Sequence, residues 1–218
     1  MFMIVLNLKT YEQTIQKPLF FVDTASEIVA ETGVRIVICP PSPYLLDAAQ
    51  RFSGVFAQHV DPEPLGAYTG SISAEMLKSI GVKGSLINHS EKRVSLPRVR
   101  ETLERMHSSG LESIACAPSV SEAAETAAFA PTFVAVEPPE LIGSGVSVSR
   151  SKPEVVTNTV KAIKNVDDKV HVLCCAGVSN KYDVKKALGL GVEGVLLASA
   201  FVKAKDPKEF MKDLASVF

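Results

Sequence analysis

Residues 113–136 read SIACAPSVSEAAETAAFAPTFVAV, which is an apolar run, a polar turn, a helix-like segment and a second apolar run. Neither apolar run (113–117 and 132–136) alternates polar with apolar residues. This composition is typical of parallel strands that are buried on both faces. Between them, Ser119 precedes Glu122 with the spacing of a helix capping box. The stretch therefore predicts one strand–helix–strand unit.

The same unit recurs through the 218 residues. Eight apolar runs predict strands at residues 3–6, 35–39, 55–58, 85–88, 113–117, 132–136, 170–175 and 194–197. Strict alternation of strands and helices predicts a parallel α/β fold, and eight repeats favour a closed barrel over an open, doubly wound sheet with the same periodicity. Since no Pro/Gly/Ser-rich linker interrupts the series, we expect a single domain over residues 1–218.

Helices are predicted between the strands by apolar stripes and by start signals. One stripe consists of Leu96, Val99, Leu103 and Met106, and a second of Ile72, Met76, Leu77 and Ile80. Further helix starts are predicted at Ser42-Pro43, Ser151-x-x-Glu154 and Asp206-Pro207-x-Glu209.

Composition narrows the class of protein. Lys and Arg number 23 against 24 Asp and Glu, a formal net charge of −1, which argues against nucleic acid or membrane headgroups as partners. No uncharged stretch approaches the roughly 20 apolar residues of a membrane span. The four cysteines have no C-x-x-C spacing and lie in apolar runs, which favours buried thiols and the cytoplasm.

Polar residues follow several of the predicted strands, where a barrel collects its reacting groups. Glu137 leaves an apolar strand and enters Pro138-Pro139, and a carboxylate held by stiff backbone suits a general base. The alternative for Glu137 is a simple ion pair with a loop Lys or Arg. The following residues, 141–145, combine apolar side chains with two glycines and resemble a lid over an anion.

His89 and Lys9 are the other candidates on this rim. His89 follows a strand directly and stands beside Asn88 and Glu91, whereas a solitary histidine at a strand end is usually structural. Lys9 is either a solvated rim lysine or a cation that attracts a phosphate or an enolate. His59, His107 and His171 lack such polar neighbours, and we expect them to be structural or surface residues.

Two motifs that could indicate a nucleotide cofactor or a metal ion are not supported by their sequence context. Gly189-x-Gly191-x-x-Gly194 has dinucleotide-binding spacing, but it follows a predicted helix and precedes a strand, the reverse of the order required. His89-x-Glu91 lacks the P-C-x-x-C partner of zinc deaminases. We expect no metal and no cofactor.

As an ordered set, these residues closely resemble triosephosphate isomerase, specifically its short archaeal branch, along nearly the whole chain. The set comprises Asn7-x-Lys9, Ala57-Gln58, Gly66-Ala67-Tyr68-Thr69-Gly70, Asn88-His89-Ser90-Glu91-Lys92-Arg93, Val136-Glu137-Pro138-Pro139-x-x-Ile142-Gly143-Ser144-Gly145 and Leu196-Leu197-Ala198-Ser199.

The resemblance implies a TIM barrel that interconverts dihydroxyacetone phosphate and D-glyceraldehyde 3-phosphate through an enediolate, without a cofactor, in glycolysis and gluconeogenesis. It implies that Glu137 is the base and His89 the neutral electrophile. Lys9 would stabilise the enediolate, Asn7 would shape the pocket and, with Lys9, bind substrate, and Glu91 would support Lys9.

Phosphate binding is implied for backbone N–H groups after three different strands. The residues are Ile142, Gly143, Gly177, Ala198 and Ser199. Archaeal relatives are tetramers, and residues 66–70 resemble the loop that inserts into a neighbouring subunit. A homotetramer, or at least a homodimer, is therefore expected.

The chain departs from the family in three respects. Ser144 stands where Thr is usual, and Cys175 stands where archaeal relatives commonly have Gly. Cys175 puts the geometry of the loop after strand seven in doubt. The chain is also shorter than the roughly 250 residues typical of such barrels, so some outer helices should be reduced to loops.

Two other functions fit a phosphosugar barrel. A Schiff-base aldolase would need a lysine inside a late strand, but the sixth strand ends in Glu137. A barrel that only binds a phosphorylated metabolite would need no general base, and Lys9, His89 and Glu137 are all present.

Overall fold

Eight parallel strands form the centre of the protein in a computed structural model, which describes residues 2–137, 148–175 and 177–218. The strands are β1 Met3–Asn7, β2 Arg35–Cys39, β3 Phe56–Ala57, β4 Gly84–Ile87, β5 Glu112–Ala117, β6 Phe133–Val136, β7 His171–Cys175 and β8 Gly194–Leu197. Each predicted run matches its strand to within one residue at either end. The hydrogen-bonded order is β2-β1-β8-β7-β6-β5-β4-β3.

The barrel of strands closes between β2 and β3, where the strand pairing is weakest. One isolated parallel bridge joins Ile38 to Val55, and the Ile38 N–H donates to the Gly54 carbonyl at 2.9 Å. A Cβ at Gly54 would lie 2.5 Å from the Ile36 carbonyl oxygen. Glycine therefore permits the close backbone approach at this seam, and the predicted closed barrel is confirmed.

At least one helix lies between each pair of consecutive strands, so the prediction that some outer helices are reduced to loops is wrong. The helices are α1 Glu12–Gln16, α2 Pro18–Thr32, α3 Leu45–Arg51, α4 Ala74–Ser79, α5 Leu96–Ser109, α6 Val120–Ala127, α7 Val148–Ser151, α8 Pro153–Val166, α9 Lys181–Gly189, α10 Ser199–Val202 and α11 Pro207–Ala215, with a 3-10 helix at Ser42–Tyr44. No helix of the described ranges is long and apolar enough to cross a membrane.

The helix start signals are partly confirmed. The side chains of Ser119 and Asp206 cap α6 and α11 by accepting the N–H of Glu122 and Glu209. The prediction at Ser151 is wrong: α8 starts at Pro153 with Lys152 as its N-cap, because the residue before a proline is driven out of the helical region.

Two further sequence predictions about helices are also wrong. Ser42 is not an N-cap, because it lies inside the 3-10 helix and Pro41 precedes that helix in extended conformation. Met76 does not join a buried stripe, since α4 has only six residues and presents Leu77 to the core while Met76 is 52% exposed.

The barrel has two apolar layers. Inward-facing side chains fill its interior and comprise Met3, Val5, Val37, Cys39, Phe56, Leu86, Ile114, Cys116, Phe133, Ala135, Leu173, Cys175 and Leu196. Outward-facing side chains of the same strands pack against the helices in a second, larger layer. Burial on both sides explains why the strand sequences are apolar without alternation.

An ion pair crosses the amino end of the barrel. Arg35 of β2 donates twice to Glu112 of β5, at 2.7 Å to each carboxylate oxygen, although these strands are not neighbours. The Arg35 guanidinium also lies 5.6 Å from the ring centroid of Phe133. This end is therefore occupied by structural contacts, and the carboxyl end is left for chemistry.

We expect Gly84→Ala to destabilise the barrel by about 1–3 kcal/mol, because overpacking displaces rigid neighbours. A Cβ at Gly84 would meet the Glu112 carbonyl oxygen and lie 2.5 Å from the Phe56 ring. Urea unfolding followed by circular dichroism measures the change.

Gly189→Ala is the matched control, since Gly189 ends α9 with nothing within 4 Å of its would-be Cβ. Alanine favours helix over glycine by up to about 1 kcal/mol, so this variant should unfold at the same or a higher urea concentration. Equal midpoints for the two variants would contradict the close packing at Gly84.

Candidate active site

Lys9 is held in place by side chains from two strand ends. The Asn7 side-chain oxygen accepts the Lys9 N–H at 3.0 Å, and Gln58 donates to the Lys9 carbonyl at 3.2 Å. Lys9 has a φ of +46°, a left-handed conformation that costs free energy in a residue with a side chain. The ammonium group forms an ion pair with Glu91 at 2.7 Å.

His89 is carried by a turn that its neighbour Asn88 stabilises. Asn88 has a φ of +59°, and its amide group donates to the Cys116 carbonyl and to Glu122, each at 3.0 Å. Its side-chain oxygen accepts the Val94 N–H at 3.0 Å. These three bonds fix the turn, so the imidazole has a defined place on the rim.

The hydrogen bonds of His89 define its tautomer. The backbone N–H of Glu91 donates to Nδ1 at 3.2 Å, so Nδ1 is the unprotonated acceptor. The Glu91 carboxylate is 3.7 Å away, beyond good hydrogen-bond distance. A neutral imidazole in this place would therefore carry its proton on Nε2, which faces Glu137 at the cavity.

Glu137 meets His89 at the end of β6. Its Oε1 lies 3.3 Å from His89 Nε2, and its Oε2 accepts the backbone N–H of Ser90 at 3.2 Å. The Glu137 N–H donates to the Ala117 carbonyl at 2.9 Å and extends the β5–β6 pairing by one residue. The carboxylate is nearly buried, with 7% of its side chain exposed.

Buried thiols lie beneath Glu137 in the barrel interior. Burial raises the pKa of Cys116 and Cys175 well above the ordinary value, and the Glu137 carboxylate adds to both shifts. These groups are therefore neutral thiols at physiological pH. Cys175 fits inside the barrel with its side chain fully buried.

A cavity of about 460 Å³ opens beside these groups, lined among others by Lys9, His89, Glu137, Gly177, Ala198 and Ser199. Most of the predicted site residues therefore come together. Asn7 lines a neighbouring cavity of about 190 Å³, with Lys9 and His89. Ile142, Gly143, Ser144 and the rest of residues 138–147, as well as Ala176, lie outside the described residues.

The other histidines were expected to be structural or surface residues, and His107 is exposed on α5. His59 is hydrogen-bonded to Asp61 at 3.0 Å, and His171 to Glu193 at 2.6 Å. Burial lowers the pKa of His59, although Asp61 opposes that shift. Within residues 2–137, 148–175 and 177–218, no three His, Cys, Asp or Glu side chains are grouped to hold a metal ion.

Sequence analysis named Gln58, Asn88 and Ser90 within the family motifs, but it did not predict that they hold the site together. Gln58 donates to the Cys39 carbonyl at 2.9 Å besides Lys9, and Ser90 binds Glu137 through its backbone. Glu122 accepts from both Asn88 and Arg93. Gln58, Asn88 and Ser90 all stand at strand ends beside the candidates, which is the signal that could have identified them.

The arrangement can move protons. A carbonyl oxygen in the cavity can accept the Nε2–H of His89, and a carbon next to that carbonyl can lose a proton to Glu137. The nearby Lys9 ammonium can balance negative charge that develops on the oxygens.

Comparison with known proteins agrees with this chemistry. The family model described as Triosephosphate isomerase matches residues 2–216. The chain is 47% identical to the triosephosphate isomerase of Methanothermus fervidus over 213 residues, covering 97% of this chain and 96% of that protein. It is 44% identical to that of Methanocaldococcus jannaschii over 214 residues, covering 97% and 98%. The family model covers nearly the whole chain and the relatives match it over their full length, and the chain therefore belongs to the triosephosphate isomerase family.

Proposed function

We propose that Glu137 and His89 carry out the proton transfers of this isomerase, which interconverts dihydroxyacetone phosphate and D-glyceraldehyde 3-phosphate, and that Lys9 stabilises the enediolate. The observation that carries the proposal is the approach of Glu137 to His89, with 3.3 Å between Oε1 and Nε2. A base for a carbon-bound proton and a donor for the neighbouring oxygen are thereby placed together.

In the forward reaction, Glu137 removes a proton from the carbon beside the substrate carbonyl, and the electron pair moves onto the carbonyl oxygen. His89 Nε2–H protonates that oxygen to give an enediol, and the resulting imidazolate removes the proton of the neighbouring hydroxyl, which restores Nε2–H and moves the negative charge to the second oxygen. Glu137 then returns its proton to the adjacent carbon. A Glu base beside a neutral imidazole is the established pattern of this family rather than a peculiarity of this chain.

Lys9 and Asn7 support the negative charge and the position of the substrate. The Lys9 ammonium is mostly buried, with 16% of its side chain exposed, so its field is less screened than that of a surface lysine. Glu91 holds the ammonium group, and Asn7 holds the backbone of Lys9. We assign Asn7 and Glu91 to positioning, and Lys9 to stabilisation of the enediolate.

Phosphate binding is assigned to backbone N–H groups after the last strands. Gly177 follows β7 with a φ of +72°, and Ala198 and Ser199 begin α10 directly after β8. The first N–H groups of a helix have no acceptor within it. Ile142 and Gly143 are proposed as further donors by family resemblance.

The chain is proposed to act as a homotetramer, or at least a homodimer, in the cytoplasm and as one domain over residues 1–218. Tyr68, in the loop 66–70 that resembles the family's intersubunit loop, is 47% exposed, and Leu65 directly before this loop is 68% exposed. Exposed apolar residues in one loop suit burial against a second copy. All four cysteines are free and buried, which suits a reducing compartment.

Glu137→Asp and His89→Gln should each lower kcat by about 10²–10⁴-fold, because a shortened base or a missing donor loses a positioned proton transfer. A coupled assay with glyceraldehyde 3-phosphate measures the loss. Glu125→Gln, on an exposed face of α6, is the control and should retain the parent's rate. Turnover by Glu137→Asp at the parent's rate would exclude Glu137 as the base.

Tyr68→Glu should dissociate the assembly, because a charge cannot be buried in an apolar contact without a partner. Sedimentation velocity should give a tetramer or dimer for the parent and a smaller species for the variant. Met76→Glu, at a position 52% exposed on α4, tests whether the contact extends beyond the loop. A monomeric parent would overturn the oligomer proposal.

A further inference from the structure

Apart from Lys203, the charged side chains that line the described part of the cavity are one cation, Lys9, and two carboxylates, Glu91 and Glu137. Lys9 is neutralised by Glu91 at 2.7 Å, and Glu137 is a carboxylate. A phosphorylated substrate brings a dianion into this cavity, and the neutral His89 adds no charge. Attraction of the substrate therefore requires a positive charge that no carboxylate already neutralises.

Lys203 supplies such a charge at the edge of the cavity. Among the described residues that line it, Lys203 is the cation with no carboxylate at ion-pair distance. Its ammonium group lies 4.9 Å from the ring centroid of Tyr11, which also lines the cavity. Its backbone N–H donates to the Ser199 carbonyl at 2.9 Å, which fixes the start of the side chain at the end of α10.

Tyr11 and Lys203 connect two neighbouring loops. Tyr11 follows β1 and is the N-cap residue of α1, whereas Lys203 follows β8 and α10. Strands β1 and β8 pair in the barrel, so the two loops lie side by side at the carboxyl rim. The side-chain contact therefore holds the cation at the edge of the cavity that Ala198 and Ser199 also line.

An aromatic ring holds a cation without cancelling its charge. The face of a tyrosine ring attracts an ammonium through its quadrupole but carries no net charge. A carboxylate in the same place would orient Lys203 equally well and would abolish its long-range field. The ring therefore restrains the side chain while leaving the whole positive charge available to an approaching anion.

We propose that Lys203, restrained by Tyr11, is a substrate-binding residue that draws the phosphate group of the triose phosphate to the cavity. This inference rests on the proposed function of the cavity. Lys203 acts on capture and binding and takes no part in proton transfer. Its effect belongs in KM and kcat/KM, and it weakens as salt screens the charge.

The test is the ionic-strength dependence of the isomerase reaction in the parent, Lys203→Met and Lys205→Met. Lys205 is an exposed lysine two residues away that does not line the cavity, so its variant carries the same change in net charge. At low salt, Lys203→Met should lower kcat/KM by about three- to ten-fold. The change should appear in KM and should be larger than the change caused by Lys205→Met. At about 0.5 M salt, the ratio of the parent's kcat/KM to that of Lys203→Met should approach one.

Two further measurements separate charge from structure. Inorganic phosphate should inhibit Lys203→Met less than the parent, and Lys203→Arg should restore most of the kcat/KM. Tyr11→Leu removes the aromatic ring and should cause part of the decrease in kcat/KM that Lys203→Met causes. Tyr11→Phe keeps the ring and should cause a smaller decrease than Tyr11→Leu.

Each outcome decides between the proposals. A parent that never turns over triose phosphate would overturn the proposed function itself. A parent that is active while Lys203→Met matches Lys205→Met in kcat/KM and salt dependence would overturn the role of Lys203 alone. A loss confined to kcat, or one that salt does not diminish, would also overturn it, because that pattern indicates a structural defect.

Discussion

The common direction of the eight strands is the constraint on which the rest of the structure depends. Parallel pairing brings the carboxyl ends of all strands to one rim, where loops from β1, β4 and β6 meet. Lys9, His89 and Glu137 are separated by up to 128 residues of sequence (137 − 9 = 128), yet the rim brings each within reach of the next. An antiparallel strand at any of these places would move its residue to the far end of the barrel.

The strands could be predicted closely because burial on two faces leaves a plain signal, an uninterrupted apolar run. Helix starts were predicted less well, since a capping residue competes with its surroundings. Ser119 caps α6 as expected, but Pro153 moves the start of α8 beyond Ser151. Met76 fits an apolar stripe and yet faces outward, because α4 is too short to bury more than one side of a single turn.

In the candidate site, too, some features could be predicted from the sequence and others could not. Glu137, His89 and Lys9 could be predicted to share one rim because each is a polar residue at or just after the end of an apolar strand, and the three line one cavity. The tautomer of His89 could not be predicted from the sequence, because it depends on where the Glu91 N–H points. The contact between Lys203 and Tyr11 was equally hidden, since it joins loops 192 residues apart in sequence (203 − 11 = 192). Contacts between loops follow from barrel closure, which no local pattern encodes.

Backbone strain is concentrated where the chemistry is placed. Among the described residues, the non-glycine residues with positive φ are Lys9, Asn88 and Ala130, and the first two stand in the turns of the site. In both turns an asparagine side chain compensates by hydrogen-bonding to backbone: Asn7 binds the Lys9 N–H, and Asn88 binds the Val94 N–H. Glycine would adopt these conformations more easily, but it would supply neither the ammonium of Lys9 nor the three hydrogen bonds of Asn88. The strain is thus the cost of keeping functional side chains at these turns, and the rigid barrel beneath them sustains it.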